Sequence, residues 1–163
     1  MKNILVTGAA GGIGTRLRKL LKGAYPNILW SDIRKPGDLA ADEAFMAADL
    51  SQLAQVEKIV ADIDGIVHLG GFSVEGTWDT ILQANIVGTY NMFEAAYRAN
   101  VKRLVFASSN HAVGFYPRSQ KIGVDLRVVD TVVQVAEVPD DAGGGLRSDL
   151  VLKKDRRNGG VIF

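Results

Sequence analysis

The stretch from Asn3 to Leu21 limits what this chain can fold into more than any other part of it. Asn3-Ile4-Leu5-Val6 is a short apolar run suited to a strand covered on both faces, and Thr15 to Leu21 continues as a helix. Between them, Thr7-Gly8-Ala9-Ala10-Gly11-Gly12-Ile13-Gly14 places glycines at 8, 11 and 14. A glycine turn between strand and helix makes a phosphate cradle. Gly8 permits the tight turn, Gly11 lets an anion approach the backbone, and Gly14 lets the helix lie close to the strand. The free N–H groups of the helix start, those of Gly12 and Ile13 among them, then point at the anion.

Composition fits one globular domain that handles small molecules. The chain has 163 residues, 47% hydrophobic and 23% charged, enough apolar material for a core. A net charge of +1 gives no electrostatic footprint for nucleic acid or an anionic membrane. The absence of cysteine removes disulfides, thiolate metal sites and cysteine nucleophiles, and no metal is expected. A cytoplasmic location is expected: Met1-Lys2 leads directly into the first strand without a secretory pattern, and no apolar run is long enough to span a bilayer.

Strands and helices alternate along the chain. The first helix is expected from about Gly12 to Lys22, ending near Gly23. Asn27 to Ser31 forms a second strand ending at Asp32, about twenty residues beyond the glycine turn, where an acidic side chain takes the ribose hydroxyls of a dinucleotide. Its charge favours NAD over NADP, although Arg34, two residues on, suits a 2′-phosphate. After a loop over Pro36–Asp42, Ala44–Ala47 reads as a third strand, and Asp49 as the N-cap of a helix over Ser51–Ala61. A fourth strand from Gly65 opens into Gly70-Gly71, and His68 within it reads as a packed, hydrogen-bonded residue rather than a catalyst. Thr77 to Asn100 is one long helix with Gly88 as its weak point, and Val101 to Ala107 a fifth strand that delivers Ser108-Ser109-Asn110-His111. With right-handed crossovers, this alternation makes an α/β fold, a doubly wound parallel sheet of the Rossmann-like kind.

The spacing Thr-Gly-x-x-Gly-x-x-Gly differs from the Gly-x-Gly-x-x-Gly dinucleotide fingerprint. It resembles the extended branch of the short-chain dehydrogenase/reductase superfamily, the NAD-dependent epimerases and dehydratases. A narrower likeness, over about Met1 to Gly123, is to the uronate dehydrogenases. It rests on Ser108-Ser109-Asn110-His111, on Asp64 to Glu75, on Gln83-Ala84-Asn85-Ile86 and on Phe115-Tyr116-Pro117. The resemblance implies NAD as cofactor and a sugar acid oxidised at C1 to an aldarolactone. It implies a catalytic Ser109 bonded to the reacting oxygen, with Ser73, Asn110 and His111 lining the sugar pocket. For NAD it implies Gly8, Gly11, Gly12, Ile13 and Gly14 at the pyrophosphate, Asp32 at the ribose, and Asp49 with Leu50 at the adenine. Leu69, Gly70 and Gly71 would pass beside the second ribose and the phosphates. Asn85 either helps hold the active site and its relay water or is satisfied by backbone. Homo-oligomers of that branch form partly through the long helix. The rival readings are a non-catalytic NAD-binding module and a nucleotide-sugar epimerase or dehydratase.

The likeness stops near Val124. In the superfamily a tyrosine four residues before a lysine moves the substrate's proton, and no such pair exists here: the last tyrosine, Tyr116, is followed by Gln120. Residues 124–163 form an atypical tail, valine-rich and then carrying Gly143-Gly144-Gly145, which disfavours the long catalytic helix and admits a strand over Asp130–Val138. Read one nucleotide later, codons for Val133-Gln134 can give tyrosine and those for Glu137-Val138 lysine, so a frameshift near Leu126 is the expected origin of the tail.

Overall fold

β1 (Asn3–Thr7) is buried from Ile4 to Thr7, as an apolar run becomes when helices cover both faces of its sheet. The computed structural model describes residues 1–108 and the strand segments 133–137, 153–154 and 161–162. β1 pairs in parallel with β2 (Asn27–Asp32) on one side, Thr7 opposite Ser31. On its other side it pairs in parallel with β4 (Gly65–His68), Thr7 opposite His68. β3 (Ala44–Ala47) extends the sheet beyond β2, and β5 (Arg103–Ala107) beyond β4, both parallel. In the order β3-β2-β1-β4-β5 the winding reverses between β1 and β4, so the loops leaving these two strands diverge and open a crevice.

Alternation along β1 assigns its two faces. Ile4 and Val6 join Ala9 and Trp30 in one core cluster, against Leu17 and Leu21 of the first helix, α1 (Gly12–Leu20), and its C-cap. Leu5 turns the other way, into a cluster with Ile66 and Leu104 of the neighbouring strands. That cluster also takes Val56, Ile59 and Val60 of α2 (Leu53–Val60) and Met92, Ala95 and Ala96 of α4 (Gly88–Arg98). The molecule is therefore the Rossmann-like, doubly wound α/β fold, with a helix layer on each face.

Four local expectations change. β6 (Val133–Glu137), inside the stretch that admits a strand, runs antiparallel to β5, Arg103 opposite Glu137 and Ala107 opposite Val133, so the described sheet is mixed at this edge. The last two short strands, β7 (Lys153–Lys154) and β8 (Val161–Ile162), pair with each other. α1 ends at Leu20, and Gly23 takes φ +76° in the turn beyond. The single helix expected over Thr77–Asn100 is divided into α3 (Trp78–Ile81), a π-helical stretch Leu82–Val87, and α4. Its wide turn keeps Asn85 bonded to the Phe72 backbone while Gly88 closes on Leu50. Asp49 is not the N-cap of α2: the helix starts at Leu53 behind Gln52, and the Asp49 carboxylate instead accepts the Ser51 N–H at 2.9 Å in the preceding turn. No helix among the described residues is long and apolar enough to cross a membrane.

His68 is part of the core, as the sequence reading has it. It is fully buried and stacked on Phe106 with ring centroids 5.4 Å apart, and its Nδ1 lies 2.7 Å from the Thr7 hydroxyl. Burial pushes the imidazole down to about 4, so the folded protein keeps it neutral. The unfolded chain takes up a proton that the folded chain refuses between pH 6.5 and about 4. The stabilisation is complete above pH 6.5 and is lost as pH falls through that window, by about 3 kcal/mol in all. Denaturant melts of wild type and His68→Gln across that range should show the loss in wild type only. Leu5→Ala, at a fully buried position in the larger cluster, should lower stability by about 2–5 kcal/mol at any pH in urea unfolding.

Candidate functional site

The glycine turn leaves no room for side chains at two positions. Gly8 sits at φ +72°, and a Cβ there would stand 2.8 Å from the carbonyl carbon and oxygen of Leu69. A Cβ on Gly14 would meet the Gly8 oxygen and lie 2.8 Å from the Cα of Ala9. These neighbours are backbone and cannot swing aside, so the turn, the helix start and the end of β4 are fitted to one another. Gly11 closes the turn by donating its N–H to the Gly8 oxygen at 3.0 Å. As the N-cap of α1, Gly11 brings no side-chain cap, and the first turn holds no acidic residue. The N–H groups of Gly12, Ile13 and Gly14 and the positive end of the helix dipole are thus left for an anion.

Asp32 stands at the end of β2, beside that anion seat. One carboxylate oxygen accepts the N–H of Ala10 at 2.9 Å and the other that of Ile33 at 2.7 Å. These bonds fix the carboxylate while leaving each oxygen a further lone pair, enough to take two hydroxyl groups. Thr7 makes the corresponding link on the other side. Its hydroxyl accepts the Gly70 N–H at 3.1 Å and pairs with His68, which ties the Gly70-Gly71 segment to the end of β1.

A cleft of about 390 Å³ opens over the carboxyl ends of β1, β2 and β4. Every cofactor residue expected from the sequence except Asn85 lines it: Gly8, Gly11, Gly12, Ile13 and Gly14 from the turn, Asp32 from β2, Asp49 and Leu50 after β3, and Leu69, Gly70 and Gly71 after β4. Ser73 and Arg34 line it too. Asn85 is placed elsewhere and does its bonding to backbone: Oδ1 accepts the Phe72 N–H at 2.6 Å and Nδ2 donates to the Phe72 oxygen at 3.0 Å. It fastens the segment that carries Ser73. Ser109, Asn110 and His111 lie outside the described residues; Ala107, just before them, lines the cleft.

Sequence reasoning missed Thr7, whose signal was its place just ahead of the first glycine. It also missed Ile33, 62% exposed beside Asp32 and lining the cleft. An isoleucine directly after the acidic residue that ends the second strand was the available signal. The residues present fit a dinucleotide: a pyrophosphate seat, a fixed carboxylate for a ribose, and apolar side chains at Ile33 and Leu50 for a flat ring.

Comparison with known proteins agrees with this geometry. The sequence model of the NAD dependent epimerase/dehydratase family matches residues 4–128. The uronate dehydrogenase of Agrobacterium fabrum is 43% identical over 126 residues, which take in 77% of this chain and 48% of that enzyme. The crystal structure of glucuronic acid dehydrogenase from Chromohalobacter salexigens superposes with a TM-score of 0.69 at 47% identity, covering 78% of this chain and 47% of the other. A mutant uronate dehydrogenase from Agrobacterium tumefaciens, solved as a complex with NAD, gives a TM-score of 0.68 at 43% identity over 74% of this chain and 45% of its own. The chain spans about half the length of the curated relatives it matches. From the turn, the cleft and these matches together, the chain belongs to the NAD dependent epimerase/dehydratase family.

Proposed function

We propose that this chain carries the cofactor-binding half of an NAD-dependent dehydrogenase for a sugar acid, a uronate oxidised at C1 to its aldarolactone. The observation that carries the reading is the convergence of the glycine turn, Asp32, Asp49 and Gly70-Gly71 on one cleft. Bound there, NAD would accept a hydride from the sugar's anomeric carbon. The chain's own residues do the holding. The N–H groups of Gly12, Ile13 and Gly14, with Gly8 and Gly11 shaping their turn, take the pyrophosphate. Asp32 takes the adenosine ribose, and Asp49 and Leu50 take the adenine. Leu69, Gly70 and Gly71 flank the second ribose, with Asn85 fastening the segment just beyond them. Ser73 faces the sugar, together with Asn110 and His111, and Ser109 bonds the reacting oxygen. The partner is a small polyol acid, in a cytoplasmic setting, with no role for nucleic acid, membrane or metal. Self-association would use the face of the long helix.

Residues 1–123 form the NAD-binding unit in this proposal, and 124–163 an atypical tail produced by a shifted reading frame. Because no tyrosine stands four residues before a lysine, the substrate's hydroxyl has no side chain of the usual kind to take its proton. Turnover should be slow. The same sequence fact favours the second reading, an NAD-binding module that does not catalyse.

Titration of the purified chain with NAD, beside NADH absorbance after galacturonate is added, separates these outcomes. Binding with little or no NADH formation supports the cofactor-binding half, whereas absence of binding overturns the proposal. Gly14→Ala should abolish NAD binding, because its Cβ meets backbone. Asp32→Ser should weaken NAD by about ten- to a hundredfold and narrow its advantage over NADP, as charged hydrogen bonds to a ribose predict. The gene's nucleotide sequence tests the tail: the shifted frame around Val133 should encode a tyrosine and, four codons on, a lysine.

A further inference from the structure

The wall that Ala48, Asp49 and Leu50 present to the cleft belongs to no helix or strand: β3 ends at Ala47 and α2 begins at Leu53. Its first two residues are tied through their N–H groups. The Ala48 N–H donates to the Asp32 backbone carbonyl at 3.1 Å, and the Asp49 N–H to Gln55 Oε1 at 2.9 Å. Its last residue is held from far along the chain. Asn91, on α4 and only 5% exposed, donates through Nδ2 to the Leu50 oxygen at 2.9 Å, across 41 residues of sequence.

The Leu50 side chain is seated by the same helix. A Cβ on Gly88 would lie 3.0 Å from Leu50 Cβ, and one on Gly70 would lie 2.5 Å from Leu50 Cδ1. Leucine thus occupies a notch between two glycines, while its carbonyl is fixed by an amide about one helical turn beyond Gly88. An amide on a helix face otherwise occupied by Met92, Ala95 and Ala96 is costly to bury unless it is bonded, and the group it bonds here is the backbone of the cleft wall.

We infer that Asn91 is a positioning residue of the nucleotide site: through the Leu50 carbonyl it sets the wall that Asp49 and Leu50 turn toward an adenine ring. This inference rests on the proposed NAD site. Asn91 is absent from the cleft lining and acts only through Leu50. Asn91→Leu, close in volume and without a donor, should therefore weaken NAD and ADP-ribose by the same factor, about tenfold, because both carry the adenosine that the wall receives. It should also speed amide exchange at Asp49 and Ser51 in the ligand-free chain.

The test measures Kd for NAD and ADP-ribose by calorimetry, together with hydrogen exchange of residues 48–52, in the full chain. Val101→Ala serves as the control for general destabilisation. Val101 is 2% exposed, lies in the same core cluster, and is not part of the cleft lining. Equal losses for both ligands with faster exchange at Asp49 and Ser51 in Asn91→Leu, and neither in Val101→Ala, support the role. Unchanged exchange at Asp49 and Ser51 overturns it, as do equal effects in the two variants. If wild type binds neither ligand while Asn91→Leu still loosens this segment, the NAD reading fails and the positioning of the wall stands.

Discussion

The closest constraint among the described residues is the approach of one piece of backbone to another where α1 leaves the sheet. Gly14 lies against the Gly8 oxygen and Ala9, and Gly8 in turn against the Leu69 carbonyl. These contacts fix the direction of α1 relative to β1 and bring the end of β4 alongside. The helix start then faces the crevice between diverging loops rather than a neighbouring strand. Everything else in the site is arranged around that opening: Asp32 is braced by Ala10 of the same turn, and Gly70 by Thr7, the residue before it. The anion seat takes its donors from backbone N–H groups, which makes it insensitive to side-chain motion and intolerant of an added carbon atom at Gly8 or Gly14.

The long helix supplies the second layer of control. Asn85 in its π-helical stretch bonds both backbone groups of Phe72, and Asn91, one and a half turns on, bonds Leu50. One element thereby fastens two walls of the cleft that are formed by loops. A loop-built site needs such anchoring, because loops carry no ladder of backbone bonds of their own. The polar residues on the buried side of this helix are explained by what they hold, and Gly88 between them by the closeness of Leu50.

Much of this was legible in the sequence. The apolar run Ile4–Val6, the glycine spacing and Asp32 after β2 are local signals, and each fell where the fold required it. His68 was recognisable as a core residue because it interrupts a buried strand. What could not be read were properties set by distant partners. The π-helical stretch carries Asn85, which bonds the distant Phe72 backbone, and Asp49 misses the N-cap because the turn at 49–52 uses its carboxylate first. Periodicity predicts one helix in the first case and capping preference a helix start in the second. The antiparallel β6 is another such case: its strand character was visible in alternating valines, its direction was not.

The glycine turn lies within the residues that match the family. In the proposed reading the pyrophosphate seat lies at the start of the sequence, in the glycine turn. The most direct measurement is the change in backbone amide chemical shifts of the labelled chain on adding NAD. The largest changes should fall on Gly12, Ile13 and Gly14, whose N–H groups would face the pyrophosphate in the proposed site. Saturable binding that leaves these three amides unmoved, or no binding at all, would contradict the glycine turn as the seat of the cofactor.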